Sequence, residues 1–421
     1  MSTPTLPLLD RLPCEGEQYR FHFDMAKCIG CKCCVVACNE HNSNPADINW
    51  RRVGEIEGGI FPATQRLHLS MGCNHCAEPT CLAGCPVEAY TKDLLTGIVD
   101  HSADLCIGCQ YCTWNCSYGV PQYDAARGVV GKCDMCHSRI NEGENPACAN
   151  ACPEGAIAIE IVDINQWRKH HPEADAPGMP LADHSLSTTR ISQAPGAFAD
   201  LQRVDLDRIE PEPSHWSLVF VLVLMQAATG AILAGVSHWV AFALTSVALT
   251  IAPLHLGRPL FAYRAWRGWR TSWLSREVIA FSLFAGAAAL PDFRYGAAII
   301  GLIATYCSAR IYMVPARPSW NSNFTLFDFY GTVLALGPIF TMPWLAAFGL
   351  TSQLFLGIHR RRTSKLRIAF SILALATLFV SPWICVVFAA AGELLGRARF
   401  FETATKNSVA STFLKPGGYC K

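Results

Sequence analysis

The stretch Cys28-Ile-Gly-Cys31-Lys-Cys-Cys34-Val-Val-Ala-Cys38 decides how the first half of the chain folds. The same spacing returns in Cys106-Ile-Gly-Cys109-Gln-Tyr-Cys112-Thr-Trp-Asn-Cys116. Three cysteines on a tight loop can hold one face of an iron–sulfur cubane, and the fourth, one helical turn later, points towards a neighbouring cluster. Glycine in the third position lets the loop backbone approach the inorganic sulfides closely. The pattern therefore predicts ferredoxin-type [4Fe–4S] clusters.

Two further groups of cysteines complete the set. They read Cys73-x2-Cys76-x4-Cys81-x3-Cys85-Pro86 and Cys133-x2-Cys136-x11-Cys148-x3-Cys152-Pro153. A proline after the last cysteine is typical of bacterial two-cluster ferredoxins. Sixteen thiolates suffice for four [4Fe–4S] clusters, and the predicted ligands are Cys28, Cys31, Cys34, Cys38, Cys73, Cys76, Cys81, Cys85, Cys106, Cys109, Cys112, Cys116, Cys133, Cys136, Cys148 and Cys152. Cys33 is extra to the motif, and the x-x spacing favours Cys34 as the ligand.

Structural zinc and disulfides are the alternatives for such cysteines. Zinc needs two separated pairs around one tetrahedral ion, whereas here four cysteines fall within eleven residues. Disulfides are typical of secreted proteins, and Met1 to Gly16 shows neither the basic start nor the apolar core of a signal peptide. The spacing favours iron–sulfur clusters over both.

Composition divides the chain into unlike halves. Eighteen of the 21 cysteines precede residue 153, and the long apolar runs all follow residue 215. A net charge of +1 argues against a nucleic-acid partner. The predicted organisation is a tail (1–16), a cluster domain (17–162), a Pro-rich linker (163–214), a membrane domain (215–401) and a second tail (402–421).

The cluster domain is predicted to begin with a strand at 20–24 and to end with one at 156–161. The inserts 39–72 and 127–131 are either partner contact surfaces or ordinary solvated loops. Prolines of the linker speak against a packed unit there; they are Pro172, Pro177, Pro180, Pro195, Pro211 and Pro213.

The second half is predicted to cross a membrane, because its apolar runs are too long and frequent for buried soluble helices. Eight spans are expected, at 217–237, 239–256, 274–290, 295–314, 324–342, 343–358, 366–382 and 383–400. Basic residues concentrate in alternate loops, which by the positive-inside rule places the cluster domain in the cytoplasm. These residues are Arg258, Arg264, Arg267, Arg270, Arg310, Arg317, Arg360, Arg361, Arg362, Lys365, Arg367, Arg397 and Arg399.

The expected fold is therefore an α+β ferredoxin-like domain, built from two duplicated two-cluster ferredoxin units. An all-α polytopic membrane bundle of about eight transmembrane helices follows it. The expected location is the inner membrane of a bacterium.

Read together, the two halves resemble a fusion of two subunits of the dimethyl sulfoxide reductase type, among the complex iron–sulfur molybdoenzymes. The four-cluster subunit is matched by Lys27-Cys-Ile-Gly-Cys31, by the Cys106 and Gly131-Lys-Cys-Asp-Met-Cys136 stretches, and by Ser117-Tyr-Gly-Val-Pro-Gln-Tyr123. The membrane anchor subunit is matched by four shorter motifs. They are His255-Leu-Gly-Arg-Pro259, Ser272-Trp-Leu-Ser-Arg-Glu277, Pro315-Ala-Arg-Pro-Ser-Trp320 and Ala391-Gly-Glu-Leu-Leu-Gly-Arg397.

The resemblance implies an interleaved ligation that spacing alone does not decide, because first-with-second pairing is equally compatible with it. Cys28, Cys31 and Cys34 would join Cys152, and Cys133, Cys136 and Cys148 would join Cys38. Cys73, Cys76 and Cys81 would join Cys116, and Cys106, Cys109 and Cys112 would join Cys85. The resemblance also implies that molybdopterin belongs to a separate large catalytic subunit, so this chain would conduct electrons without substrate chemistry of its own.

Clusters pass single electrons, so the membrane half needs a two-electron, two-proton carrier, for which quinone is the obvious candidate. Ionisable residues at membrane depth are expected to be functional. The candidates at one membrane face are His255, Arg258, Arg276, Glu277, Glu393 and Arg397, with Asp328 nearby. His255 is expected to bond a quinone oxygen and Glu277 to relay protons, while Glu393 with Arg397 is alternatively a structural ion pair.

Three other functions stay open. The same wire can serve a cytoplasm-facing sulfite dehydrogenase or another molybdoenzyme. The anchor can instead carry b-type haem, although its histidines lie near span ends and not as facing pairs. A membrane redox sensor is the remaining class, disfavoured because no output domain is visible.

Overall fold

A computed structural model describes residues 11–171, 174, 179–197, 200–204, 212–360 and 363–404. By internal packing the described chain divides into two units, one before residue 205 and one from residue 212 onward. Several expectations fall outside the described residues: Pro172, Pro177, Pro211, Arg361, Arg362, and most of both tails.

The first unit consists of short strands and helices connected by loops. Its strands are β1 (Glu17–Asp24), β2 (Arg52–Ile60), β3 (Ala63–Met71), β4 (Tyr90–Lys92), β5 (Val99–His101), β6 (Gln122–Asp124), β7 (Val129–Gly131), β8 (Ile157–Asp163), β9 (Arg190–Ser192) and β10 (Gln202–Arg203). Its helices are α1 (Cys33–His41), α2 (Thr80–Gly84), α3 (Tyr111–Asn115), α4 (His137–Asn141), α5 (Ala147–Asn150) and α6 (Ile164–Lys169).

β1 and β8 are the two strands predicted at the ends of the cluster domain. They pair antiparallel, with Glu17 opposite Asp163 and Phe23 opposite Ile157. Alternate residues of β1 point into the core, so Tyr19, Phe21 and Phe23 are almost fully buried. This pairing brings the first and last cysteine loops of the unit to neighbouring positions.

The expected linker is wrong for its described part. β9 adds in parallel to β1, β10 adds to β2, and α6 is capped by the Asp163 carboxylate. Ser187 and Thr188 between these elements are fully buried. The described prolines, Pro180, Pro195 and Pro213, lie outside the strands, where a missing N–H removes no ladder hydrogen bond.

The insert 39–72 contains the β2–β3 hairpin, whose tip exposes Ile60 and Phe61. The shorter insert 127–131 overlaps the β6–β7 hairpin. Whether either surface contacts a partner stays a prediction.

The second unit is helical. Residues 212–404 contain eight described α-helices, one at each predicted span: α7 (Trp216–Leu233), α8 (His238–Ile251), α9 (Trp273–Ala288), α10 (Arg294–Tyr312), α11 (Asn323–Leu336), α12 (Pro343–His359), α13 (Lys365–Thr377) and α14 (Pro382–Glu402). Short 3-10 turns at Ala252–His255, Pro259–Arg264 and Pro291–Phe293 lie between them. Among the described residues, Trp216–Leu233 and the continuous stretch His238–His255 are long and apolar enough to cross a membrane. That all eight do so stays a prediction.

Small residues form the interior of this unit, and large apolar residues cover its outside. One core cluster joins Met225 of α7 and Phe284 of α9 through mostly alanine neighbours. Outward, Trp344, Val380 and Trp383 are at least three-quarters exposed. An apolar surface of this kind is suited to lipid contact.

Candidate functional site

The first cysteine set consists of Cys28, Cys31, Cys34 and Cys152. These four residues line one cavity of about 320 Å³, together with Phe23, Val53 and Ser70. Cys152 follows the short helix α5, so the set joins the N-terminal loop to the last cysteine of the cluster region. This is the grouping that the family resemblance implied.

The third cysteine set consists of Cys73, Cys76, Cys81 and Cys116. They line a second cavity, of about 370 Å³, together with Tyr118 and Lys132. Cys116 comes from the end of α3, whereas the other three belong to the loop before and within α2.

The second and fourth sets are defined by mutual proximity of their thiols. In the second set the thiols that act on Cys38 are Cys133, Cys148 and Cys136. In the fourth set the thiols that act on Cys112 are Cys109, Cys85 and Cys106. The thiols of Cys133 and Cys73 interact electrostatically, which links the second set to the third. The thiols of Cys34 and Cys148 interact in the same way, which links the first set to the second. Tyr90 lies between Cys112 of the fourth set and Cys81 of the third. The sets therefore follow one another in the order first, second, third, fourth.

The arrangement suits polynuclear clusters. Around a single zinc ion four sulfurs lie about 4 Å apart. Among the described residues, no three His, Cys, Asp or Glu side chains are close enough to share one metal ion. The first and third sets instead surround cavities of about 320 and 370 Å³. Four cysteines that converge on one cavity from separate loops fit a cubane whose corners each take one thiolate.

The cysteine loops use glycine in the left-handed backbone region to bring amides to sulfur. Gly30 and Gly108 have φ of 70° and 69°, and a Cβ on Gly30 would lie 2.6 Å from the His68 ring. The Gly108 amide donates to Cys106 Sγ at 3.4 Å, the Ala156 amide to Cys152 Sγ at 3.2 Å. Such bonds stabilise thiolate charge and tune cluster potentials.

Burial makes the unligated cysteines poor thiolates. It raises the pKa of Cys28 to about 11 and that of Cys76 to about 12. Binding iron therefore has to release protons, which couples loading of the sites to folding around them.

The segment expected to be a linker also contributes to the site. The Ser185 hydroxyl donates to Cys76 Sγ at 3.1 Å. Thr188 donates to the Asn74 carbonyl at 2.8 Å, and Thr189 to the Asn74 side chain at 2.9 Å. This segment covers the loop that carries Cys73 and Cys76. Sequence reasoning missed it because the polar, Pro-rich composition conceals a strand of only three residues.

In the second unit the six candidate quinone residues form two groups. One group lies around the connection between α8 and α9 and contains His255, Arg258, Arg276 and Glu277, and the other, on α14, contains Glu393 and Arg397. His255 ends the 3-10 turn after α8, and its Nδ1 donates to the Ala252 carbonyl. His215 lies within electrostatic range of His255. Arg258 follows three residues later. Glu277 is in the first turns of α9 and faces Cys307 and Ser308 of α10.

Arg276 has a local role. Its guanidinium donates to the carbonyls of Trp269 and Arg270, at 3.0 and 2.6 Å, and lies over the Trp273 ring. It therefore fastens the preceding loop to the start of α9.

Glu393 and Arg397 do not form the ion pair with each other that was the structural alternative. Glu393 accepts from Thr332 of α11 at 2.7 Å and lies 4.0 Å from Arg367 of α13. Arg397 pairs with Asp328 of α11 at 3.2 Å and donates to Gln226 of α7 at 3.0 Å. Each charge joins α14 to other helices, because one-turn neighbours on a helix both point at the same adjacent helices.

A cavity of about 330 Å³ lies beside this network. It is lined by Phe324, Asp328, Leu356, Gly357, Arg360, Arg367, Gly396 and Phe400. Arg367, predicted in a basic loop, instead lies in the first turn of α13, and its side chain is 4% exposed. Arg317 lies in the loop between α10 and α11, as predicted, but is buried against Glu212 at 3.0 Å. The sequence shows that a residue is basic, but it does not show whether a carboxylate from another segment pairs with it in the fold.

Comparison with known proteins divides this polypeptide in the same way. Residues 64–161 match the 4Fe-4S dicluster domain family, and residues 218–379 match the DMSO reductase anchor subunit (DmsC) family. A component of the anaerobic dimethyl sulfoxide reductase of Haemophilus influenzae is 37% identical over 195 residues, covering 44% of this chain and 93% of that one. Its counterpart in Escherichia coli K12 is 36% identical over 167 residues, 38% of this chain and 80% of that one.

Another relative is named for a different activity. A component of the sulfite dehydrogenase of Allochromatium vinosum is 36% identical over 154 residues, 32% of this chain and 64% of that one. The comparisons support [4Fe–4S] binding and a membrane-bound anchor in one polypeptide.

Proposed function

Because the chain belongs to the iron–sulfur subunit family of dimethyl sulfoxide reductases, here fused to an anchor of the same enzymes, we propose that it conducts electrons between membrane quinone and a molybdopterin-containing catalytic partner. The single observation that carries this proposal is the continuous order of four cysteine sets in a chain that also holds the anchor. The chain itself would be a non-catalytic, quinone-reactive subunit of the complex.

The sixteen cysteines would hold four [4Fe–4S] clusters, which when bound supply one-electron transfer. The protein's own part is to fix their sequence and spacing. Interleaving achieves this, because Cys38 and Cys152 exchange between the first and second sets, and Cys85 and Cys116 between the third and fourth. Neighbouring sets then share a loop and cannot move apart independently.

The quinone contact is assigned to His255, Arg258 and Glu277. Since His255 Nδ1 donates to the Ala252 carbonyl, Nε2 bears the lone pair and can accept a hydrogen bond from a quinol hydroxyl. Glu277, at the start of α9, would relay the proton, and Arg258 would stabilise charge on the oxygen. Arg276 fastens the loop beside them. Glu393 and Arg397 stabilise the bundle through their own partners, and Asp328, the partner of Arg397, lines the neighbouring cavity.

The eight helices would all span the inner membrane of a bacterium, with the cluster domain on the cytoplasmic side. Support comes from the apolar outer surface of the helices and from the basic residues at one set of helix ends. Burial of Arg317 and Arg367 weakens this charge bias without reversing it, since Arg264, Arg267 and Arg270 remain in one loop.

The large partner and its substrate are inferred from the activities of the relatives. Dimethyl sulfoxide reduction is the leading expectation, because the two dimethyl sulfoxide reductase relatives are matched over most of their length. A cytoplasm-facing sulfite dehydrogenase is the alternative that the Allochromatium vinosum relative favours. Purifying the complex through this chain and identifying the large subunit by mass spectrometry decides between them. A purified complex without a molybdopterin subunit would contradict the proposal.

The quinone assignment is tested with His255→Ala in the assembled complex. Quinol-dependent reduction of the clusters should be abolished, while the EPR signals obtained with dithionite stay intact. The matched control is His238→Ala, at the opposite end of α8. In this variant quinol should reduce the clusters at the normal rate. Normal quinol kinetics in His255→Ala would remove His255 from the site, and a sharp Soret band in the purified complex would favour the haem-containing alternative.

A further inference from the structure

Two buried cations occupy successive junctions between the cysteine sets. Arg51 is 2% exposed and Lys132 is 3% exposed. Among the residues that the structure describes, neither forms an ion pair with a carboxylate, although both positions are deep in the first unit. A buried charge without a counter-charge is costly. The Asp100 carboxylate acts on Lys132, but no carboxylate is among the groups that act most strongly on Arg51, so its charge must be balanced by something else.

Arg51 lies between the first and second sets. Its Nη1 donates to Ser70 Oγ at 3.2 Å, and that oxygen is 3.6 Å from Cys34 Sγ of the first set. The guanidinium lies 4.6 Å over the Phe21 ring, and its Nε and Nη2 are buried without a hydrogen-bond partner. The thiols that act on it most strongly are Cys148, Cys34, Cys133 and Cys38, which come from both sets.

Lys132 occupies the next junction. Its Nζ donates to the carbonyl of Cys133, a residue of the second set, at 2.7 Å and also to that of Val99. Its side chain lines the cavity of the third set. The thiols that act on it are Cys73 and Cys81 of the third set and Cys133 of the second.

At the junction between the third and fourth sets the buried residue is uncharged. Tyr90, 5% exposed, lies between Cys81 of the third set and Cys112 of the fourth. The groups that act most strongly on Cys85, Cys109 and Cys112 are other thiols, backbone amides and Tyr90, with no described Lys or Arg among them. The fourth set therefore differs from the others in its charge environment.

A fixed cation near a cluster favours the state with one more electron, because the attraction grows as negative charge is added. In a protein interior this interaction is far stronger than in water. Hydrogen bonding, local charge and exposure are the levers by which proteins set cluster potentials. The unpaired donors of Arg51 point to a cluster's negative charge as the missing balance.

We propose that Arg51 and Lys132 are potential-setting residues that raise the midpoint potentials of the first, second and third clusters. The fourth cluster, held by Cys85, Cys106, Cys109 and Cys112, would face neither of these two cations. The second cluster faces both cations. This inference rests on the proposed binding of four clusters, and it adds to that proposal an uneven profile along the wire.

The test is an EPR-monitored redox titration of the complex in membranes. Arg51→Met should lower the midpoint potentials of two clusters, and Lys132→Met should lower those of two, one of them shared with the first variant. Arg51→Lys and Lys132→Arg retain the charge and should give smaller shifts. The control is Arg20→Gln, because Arg20 is a largely buried cation that pairs with Glu160 and stacks on Trp167. It should shift none of the four.

Iron content and spin quantitation separate the possible failures. Fewer than four clusters in the unsubstituted chain would overturn the proposed function itself. Four clusters with unchanged potentials in both methionine variants would overturn the assignment of Arg51 and Lys132 alone. If one methionine variant loses iron, the redox titration of the other variant decides whether the assignment holds, because the two residues act at different junctions.

Discussion

The two halves of the chain fill their interiors in opposite ways. The first unit surrounds cavities with cysteines and places Arg51 and Lys132 among them without carboxylate partners. The second unit closes its interior with alanine and glycine and pairs Arg367 and Arg397 with Glu393 and Asp328. The first interior is complete only with an added component, whereas in the second the charges of α14 are matched by residues of other helices.

The two units therefore obtain their stability from different sources. Cluster ligation replaces a large apolar core, so the short elements of the first unit depend on metal for their positions. Close helix packing needs small residues at the contact and tolerates buried charge only when it is matched. Changes to metal, to charge pairing and to packing should therefore affect the two units unequally.

Removing iron is the largest perturbation. Anaerobic chelation of iron should unfold the first unit, because its buried neutral thiols and its cations without carboxylate partners would then surround empty volume. Digestion with a protease should cleave between the cysteine loops while the helical unit stays intact. Reconstitution with iron and sulfide is the control and should restore protection. If the chelated protein resists cleavage like the loaded one, the first interior does not depend on metal.

Breaking a buried ion pair in the second unit comes next. Arg397→Leu leaves the Asp328 carboxylate uncompensated and should lower the free energy of unfolding in mixed detergent micelles by about 3–5 kcal/mol. Arg399→Leu is the matched control, since its pair with Glu402 is 43% and 32% exposed, and it should cost less than about 1 kcal/mol. Equal losses in the two variants would show that the network of Asp328 is not a closed, buried pair.

Spacing and periodicity predicted the sixteen candidate cysteines, the strands β1 and β8, and the position of each anchor helix, because those features are local. The grouping of the cysteines into four interleaved sets was implied by the family resemblance, since spacing alone is equally compatible with first-with-second pairing. It could not predict which charges are buried. Arg317 and Arg367 look like exposed basic residues until Glu212 and Glu393 come close in the fold. The same holds for Arg51, whose neighbours Cys34 and Cys148 are far apart in the chain.

The expected linker shows a second limit of sequence reasoning. A strand such as β9 has three residues, too few for a period to be visible, and it is held by pairing with β1 and not by its own composition. The side chains of Ser185 and Thr188 acquire their role only because this pairing brings them to the Cys76 loop. Tertiary context, and not local propensity, makes this segment part of the site.

Helix packing in the second unit is sensitive to a single methyl group. A Cβ on Gly337 would lie 2.1 Å from the backbone of Gly230, where α7 and the end of α11 meet. Gly337→Ala should therefore separate the helices and lower the free energy of unfolding by about 1–3 kcal/mol. Gly286→Ala on α9 is the control, because the added Cβ meets nothing within 4 Å, and it should be neutral or slightly stabilising. A neutral Gly337→Ala would mean that the α7–α11 contact is looser than the structure has it.

A charge cluster on the first unit should have the smallest effect, because water reaches it. Glu160 is bonded to Arg20 at 2.9 Å and to Arg190 at 3.2 Å, with a side-chain exposure of 26%. Burial alone would raise its pKa, but the His22 contact and the two arginines lower it from 4.5 to about 2. A lowered carboxyl pKa gives stability that is present above pH 4.5 and is lost as the pH falls towards 2. Glu160→Gln should then cost about 1–2 kcal/mol at pH 7 in the iron-loaded protein, by chemical denaturation. Because Glu160 lies outside the cysteine sets, its loss should leave the cluster signals unchanged, and an unchanged free energy of unfolding at pH 7 would mean that this carboxylate does not stabilise the first unit.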